Sequence, residues 1–311
     1  MPWSPNRHLQ VLTFIAKQSI VSNMAAMTND EMAAIVREWT PQSFSLFYNW
    51  LHAGSGITFP DHLWPVACAL CDMRINKLML QVGPGSGKSN CLTTVYPVWL
   101  LGHDPTHTII TVAGAEDLAA GFVGGAMQHV KDSEAFKICF PKVKPNKELG
   151  WSPSNGMFVT GHRVGDPDAS YNAFGLTSKE MTGKHARTLI FDDLHTEANS
   201  DTAEACAKVV RTYVSQLLGR QDPRGARSIL AGRRWNVDDL YGKLQHSEDW
   251  VVMTLPAERP GSRDLYYDIM VPDKLECVFT DGFCHTADGD IVQVVSKVPP
   301  SEPVKKNTRY L

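Results

Sequence analysis

The chain has 311 residues, enough at about 100–200 residues per domain for one large domain or two small ones. It is 43% apolar and 20% charged, which excludes a chain disordered by composition. A net charge of −3 excludes a globally basic nucleic-acid coat, and the lack of any run of about 18 uncharged apolar residues excludes a membrane-spanning helix.

Residues 1–55 read as helical, without the charged head and apolar stretch of a secretory signal. Thr28-Asn29-Asp30-Glu31 marks a helix start, with Asn or Asp as cap ahead of Met32, Ile35, Val36 and Trp39. Gly54-Ser55-Gly56 closes this region, and a further helical segment covers Asp61 to Arg74. Within it, Cys68-x-x-Cys71 lies among apolar residues and reads as a buried helical pair rather than a redox or zinc site. The seven cysteines, an odd count spread thinly, fit a reducing compartment better than a disulfide framework.

From residue 77 strands and helices alternate. Lys77–Val82 is an apolar strand that enters a glycine-rich loop, and Cys91 to Leu101 is the helix after it. Strands follow at Thr108–Ala113, Gly156–Thr160, Tyr171–Gly175, Thr188–Phe191, Ser228–Ala231 and Trp250–Leu255. Helices are expected over Glu116–Lys131 and Ala203–Leu218. This alternation predicts a mainly parallel central sheet flanked by helices. The pattern fades after residue 258, where Pro299, Pro300 and Pro303 mark a linker or tail.

The most informative run is Gly83-Pro84-Gly85-Ser86-Gly87-Lys88-Ser89. Glycines let backbone N–H groups turn inward around a polyphosphate, Lys88 reaches the β- and γ-phosphates, and the Ser89 hydroxyl holds Mg²⁺. The strict pattern has a glycine where this chain has Val82, so the loop is an atypical phosphate loop. Thr188-Leu189-Ile190-Phe191-Asp192-Asp193 then delivers acids at a strand tip. Asp192 is placed to hold the Mg²⁺ shell, and the general base that polarises water is either Asp193 or Glu197 from the following loop, with Asp193 favoured.

These blocks resemble the ATPase domain of tailed-bacteriophage large terminases over roughly residues 59–258. The resemblance rests on the phosphate loop, Ala115-Glu116-Asp117-Leu118-Ala119, Phe140-Pro141 with Trp151, Gly183-Lys184-His185-Ala186-Arg187 before the acids, and Gly232-Arg233-Arg234-Trp235-Asn236-Val237-Asp238-Asp239-Leu240-Tyr241-Gly242. It implies an ASCE-type, RecA-like P-loop NTPase fold with ATP and Mg²⁺ as cofactors. The last block resembles the family's coupling motif, with Arg233 where the family has Thr, and Arg234 is expected at the nucleotide. The implied organisation is a helical segment over 1–58, the P-loop ATPase over 59–258 and a linker or tail over 259–311. A terminase nuclease is not expected in this chain, because the stretch after 258 holds Asp281, Asp288 and Asp290 but no strand series to present them.

The implied partners are double-stranded DNA, a portal protein, a small terminase subunit and further copies in a ring, a pentamer by resemblance, in the host cytoplasm and away from membranes. Arg220, Arg224, Arg227, Arg233 and Arg234 form one basic cluster along the sequence, and Lys142, Lys144 and Lys147 a second. A ring motor also uses an arginine from a neighbour at the γ-phosphate, for which Arg163 and Arg187 are candidates. Phe59-Pro60-Asp61-His62 lies where such motors contact adenine, although ordinary core and turn roles fit it equally. Two other readings stay open: a DExH-like helicase, from Asp192-Asp193-Leu194-His195, and a nucleotide-gated assembly factor without catalysis.

Overall fold

The computed structural model describes residues 24, 26–222, 225–255, 268–279, 283–285 and 291–293. Arg224, Asp281, Asp288, Asp290 and the proline-rich tail lie outside the described residues.

Two helices open the described chain, α1 (Asn29–Val36) and α2 (Pro41–Leu51). The cap of α1 is Thr28, not Asn29 or Asp30: its side chain accepts from the Glu31 N–H while the Glu31 carboxylate accepts from Thr28 N–H. Gly54 and Gly56 both take positive φ in the turn that follows α2. Next comes α3 (Trp64–Cys71), which buries Cys68 in the core, while the Cys71 carbonyl accepts a hydrogen bond from the Trp39 indole.

The chain then builds β1 (Lys77–Val82), α4 (Tyr96–His103), β2 (Ile109–Ala113), α5 (Glu116–Asp132) and α6 (Glu134–Cys139). Strands β3 (Trp151–Ser152), β4 (Gly156–Met157), β5 (Tyr171–Gly175) and β6 (Thr188–Asp192) follow. After them come α7 (Ala203–Thr212), β7 (Arg227–Gly232), α8 (Leu240–Leu244), β8 (Val251–Leu255) and β9 (Asp268–Met270). A separate antiparallel pair, β10 (Phe283–His285) and β11 (Ile291–Gln293), completes the described elements.

One sheet of nine strands runs in the order β3-β4-β5-β2-β6-β7-β1-β8-β9. The six strands from β5 to β8 are parallel, and the edges β3, β4 and β9 are antiparallel. Strand β7 lies between β1, which feeds the glycine loop, and β6, which ends in the acids. That intercalation is the ASCE arrangement expected from the sequence.

Central strands such as β2, β5 and β6 are buried along their whole length, because helices cover both faces of the sheet. On one face, Leu80, Ile190 and Ile229 meet Phe44, Phe47, Leu92 and Trp99, so α2 and the helix after the glycine loop share one core. On the other, Met79, Phe191 and Leu230 meet Val209, Tyr213 and Tyr241. Side-chain alternation along each strand divides the two sets.

Residues 268–279, read from sequence as linker, belong to the sheet and its core. Strand β9 pairs with β8, Val271, Cys277 and Phe279 are buried, and Val278 N–H donates to the Asp72 carboxylate. The expected strand at 156–160 is shorter, spanning only Gly156–Met157. No helix among the described residues is long and apolar enough to cross a membrane.

Candidate active site

Parallel strands present their C-terminal ends along one edge, where open α/β sheets bind ligands. The glycine loop, the acids and the segment after β7 all sit on that edge.

The departure from the strict loop pattern has a structural reason. Val82 is the last residue of β1, paired with Leu255 and buried in the core, so the strand continues through the position of the missing glycine. The loop proper starts at Gly83. Gly85 and Gly87 have φ of 75° and 79°, which a side chain at either position would strain. The 59–62 segment packs against this loop. His62 Nε2–H donates to the Ser86 carbonyl at 2.7 Å, and Phe59 is buried against Phe44 and Tyr48.

The helix after the loop opens in a wider, π-helical turn over Asn90–Val95 before α4. Pro97 explains it. An α-helix would bond the N–H of residue 97 to the Thr93 carbonyl, and proline has none. The Tyr96 N–H bonds instead to Cys91, five residues back, and the buried Tyr171 hydroxyl donates to Thr93 O at 2.5 Å. The expected helix from Cys91 to Leu101 therefore exists, but its first turns are not α-helical.

Lys88 is buried, and its Nζ lies 2.7 Å from Oδ2 of Asp193. Asp193 has φ of 46°, the one non-glycine positive φ among the described residues. Aspartate tolerates that conformation better than most residues. Glycines flank it on both sides. A Cβ on Gly114, just past β2, would stand 2.8 Å from the Asp193 carbonyl oxygen. A Cβ on Gly232 would stand 3.0 Å from Asp193 Oδ1 and collide with the Tyr241 hydroxyl.

Asp192 is 1% exposed, and among the described residues no donor meets either carboxylate oxygen in full hydrogen-bond geometry, the Ser89 hydroxyl only approaching it. Burial pushes its pKa up to about 6, opposed by the nearby Ser89 hydroxyl and Lys88 ammonium. A buried, unsatisfied carboxylate beside a hydroxyl suits a hydrated divalent cation, which satisfies both oxygens and removes the cost of burying the charge. Ser89 and Asp192 thus fit the Mg²⁺ role expected of them.

The remaining expected site residues lie elsewhere. Glu197 is exposed in a short 3₁₀ turn, and its side chain makes no hydrogen bond or ion pair among the described residues. Arg163 is exposed in the loop before β5, and Arg187 immediately precedes β6 and pairs with Asp104 at 2.9 Å. Both lie before the start of their parallel strands, Arg187 about 16 Å from the acids at 3.3 Å per strand residue, as a residue acting on a neighbouring copy would. Arg234 is held within its own segment: its guanidinium donates to Gln245 at 2.7 Å and pairs with the buried Asp239 at 3.2 Å.

The basic cluster of the sequence also divides. Arg227, at the start of β7, is 3% exposed, and its guanidinium caps α3 by donating to the carbonyls of Ala69, Leu70 and Asp72. It is a structural residue, unavailable to DNA. Arg233 and Arg234 lie at the opposite end of the same strand.

A relay that the sequence did not reveal joins the acids to the segment after β7. His195 is buried; its Nε2 accepts the Leu240 N–H at 3.0 Å, which leaves Nδ1–H to donate to Ser200 at 3.1 Å. Asn236 donates to the Ser200 carbonyl, and Tyr241 to Ala231 O at 2.8 Å. The Asp-Asp-Leu-His spacing was the only available signal.

No family model matches the chain, and neither does any curated protein. Among solved structures, the fold is similar to the N-terminal domain of the DNA packaging ATPase from bacteriophage phi29. That likeness has a TM-score of 0.39 and 16% identity, covering 61% of this chain and 93% of that one.

Proposed function

We propose that this chain is an Mg²⁺-dependent ATPase, the motor subunit of a viral genome-packaging terminase that moves double-stranded DNA into a procapsid. The observation that carries the catalytic part is the Lys88–Asp193 contact beside the unsatisfied Asp192 carboxylate.

The loop backbone from Gly83 to Gly87 and Lys88 bind the triphosphate, and the helix that follows turns its N-terminus toward it. Ser89 and Asp192 would hold Mg²⁺, which when bound would withdraw charge from the phosphate oxygens. When the γ-phosphate takes Lys88, Asp193 loses its counter-ion and becomes free to accept a proton. Water oxygen then bonds to Pγ, the bond from Pγ to the β–γ bridging oxygen breaks, and the water proton passes to Asp193. The products are ADP and inorganic phosphate. Asp193, tied to Lys88, is favoured over the exposed Glu197 as base.

The DNA part draws on the resemblance of residues 232–242 to a coupling motif and on the exposed Lys142, Lys144 and Lys147. His195 links the acids to α8, which gives a route for hydrolysis to move that segment. Portal protein, small terminase subunit and a homo-oligomeric ring belong to the same reading. Phosphate release with and without double-stranded DNA, together with displacement of a triplex-forming strand, tests it. DNA-stimulated turnover that displaces the third strand is expected; turnover unaffected by DNA and no displacement would reject the motor.

A further inference from the structure

A P-loop ATPase needs positive charge where the γ-phosphate gathers it, and within one chain Arg163 and Arg187 stand at the other edge of the sheet, which leaves them only the neighbour's site expected of them. We infer that Arg233 supplies that charge in cis, from the end of β7. This rests on the ATPase reading above and names a residue within it.

Position is the first argument. Strand β7 lies between β1 and β6, with Gly232 opposite Gln81 on one side. Asp192 faces Ala231 on the other, so Arg233 leaves the sheet between the glycine loop and the acids. Ile229 and Ala231 face the helix that follows the glycine loop, and the strand ends at Gly232, one residue before Arg233. The backbone at Gly232 runs beside Asp193, whose Oδ1 would stand 3.0 Å from a Cβ there, so the chain enters Arg233 from next to the acids.

Availability is the second. Arg234 is committed to Asp239 and Gln245, and Arg227 to the end of α3. Arg233 is exposed and has no carboxylate partner among the described residues; its guanidinium lies 3.7 Å above the Trp235 ring. Such a stack orders the side chain without neutralising it, and an exposed one is weak enough to yield to a phosphate. As Pγ separates from the bridging oxygen, the five-donor fork of Arg233 takes up the charge growing on the γ-phosphoryl oxygens, while the water proton still goes to Asp193. The arginine thereby differs from the threonine of the resembling motif, which contributes only a hydrogen bond.

The test compares wild type with Arg233→Ala and Arg233→Lys in full-length protein. Arg233→Ala should lower ATP turnover about a hundredfold or more while ADP affinity stays within twofold. It should also abolish trapping of ADP with aluminium fluoride, which mimics the transferring phosphoryl group, and Arg233→Lys should restore part of both. Mixing Arg233→Ala with Lys88→Ala should restore nothing. Unchanged turnover and trapping in Arg233→Ala would overturn the assignment, and so would recovery on mixing, since that places the arginine in trans. A wild-type chain that neither hydrolyses ATP nor traps the analogue would instead remove the ATPase reading itself.

Discussion

Lys88 and Asp193 hold each other across the gap between the glycine loop and the acidic strand, Nζ to Oδ2 at 2.7 Å. The same lysine is needed by the γ-phosphate, so nucleotide binding has to displace the carboxylate. Asp193→Asn removes that competition and also the base. It should bind ATP as tightly as wild type or a few-fold more tightly, while turnover falls about a hundredfold. Fluorescent-nucleotide titration beside phosphate release checks both. Weaker binding in Asp193→Asn would show that the pair orders the loop rather than competing with substrate.

Gly114 shapes the site through crowding, not through loop flexibility. A methyl group there meets the Asp193 carbonyl oxygen at 2.8 Å and Thr196 at 2.9 Å, and backbone cannot step aside cheaply. Gly114→Ala should cost about 1–3 kcal/mol of stability. It should also reduce turnover more than nucleotide affinity, because Asp193 moves and the loop does not. Urea denaturation and steady-state kinetics on the purified variant measure the two effects.

Arg227 should behave as a core residue. Arg227→Met leaves the carbonyls of Ala69, Leu70 and Asp72 without their donor, at a cost of about 2–4 kcal/mol. DNA affinity of the folded variant should match wild type. A selective loss of DNA binding with unchanged melting temperature would contradict this placement.

Acid should weaken the fold through two histidines. Burial lowers His103 and His129 to about 4, against an ordinary value of 6.5. The unfolded chain therefore takes up protons that the folded chain refuses, and stability falls as pH drops from 6.5 toward 4. Each contributes on the order of 2 kcal/mol over that window. His103, packed edge-on against Trp39, Trp99 and Phe140, is the cleaner case. Denaturation of His103→Leu at pH 7 and pH 5 should show a smaller acid loss than wild type.

The sequence made the phosphate loop legible because its chemistry lies in seven consecutive residues, and the acids because an apolar run delivers them. Strands were legible for the same reason: β1 and β5 match their expected spans residue for residue. Contacts between distant residues were not. Nothing local announces that Gly114 and Gly232 flank Asp193, or that His195 carries the Leu240 N–H. Charge misled where burial decides. Arg227 and Arg233 are six positions apart, yet one caps a helix inside the molecule and the other lies exposed at the far end of the strand. The π-helical turn after the glycine loop had a visible cause in Pro97, but its compensation by Tyr171 depends on strand order.

Phosphate release by the wild-type chain, measured in parallel with Lys88→Ala, Asp193→Asn and Glu197→Gln, tests the account most directly. Mg²⁺-dependent turnover is expected in wild type and in Glu197→Gln at comparable rates, with loss of about a hundredfold or more in Lys88→Ala and Asp193→Asn. Wild-type turnover in Asp193→Asn, or its loss in Glu197→Gln alone, would contradict the placing of catalysis at the Lys88–Asp193 pair.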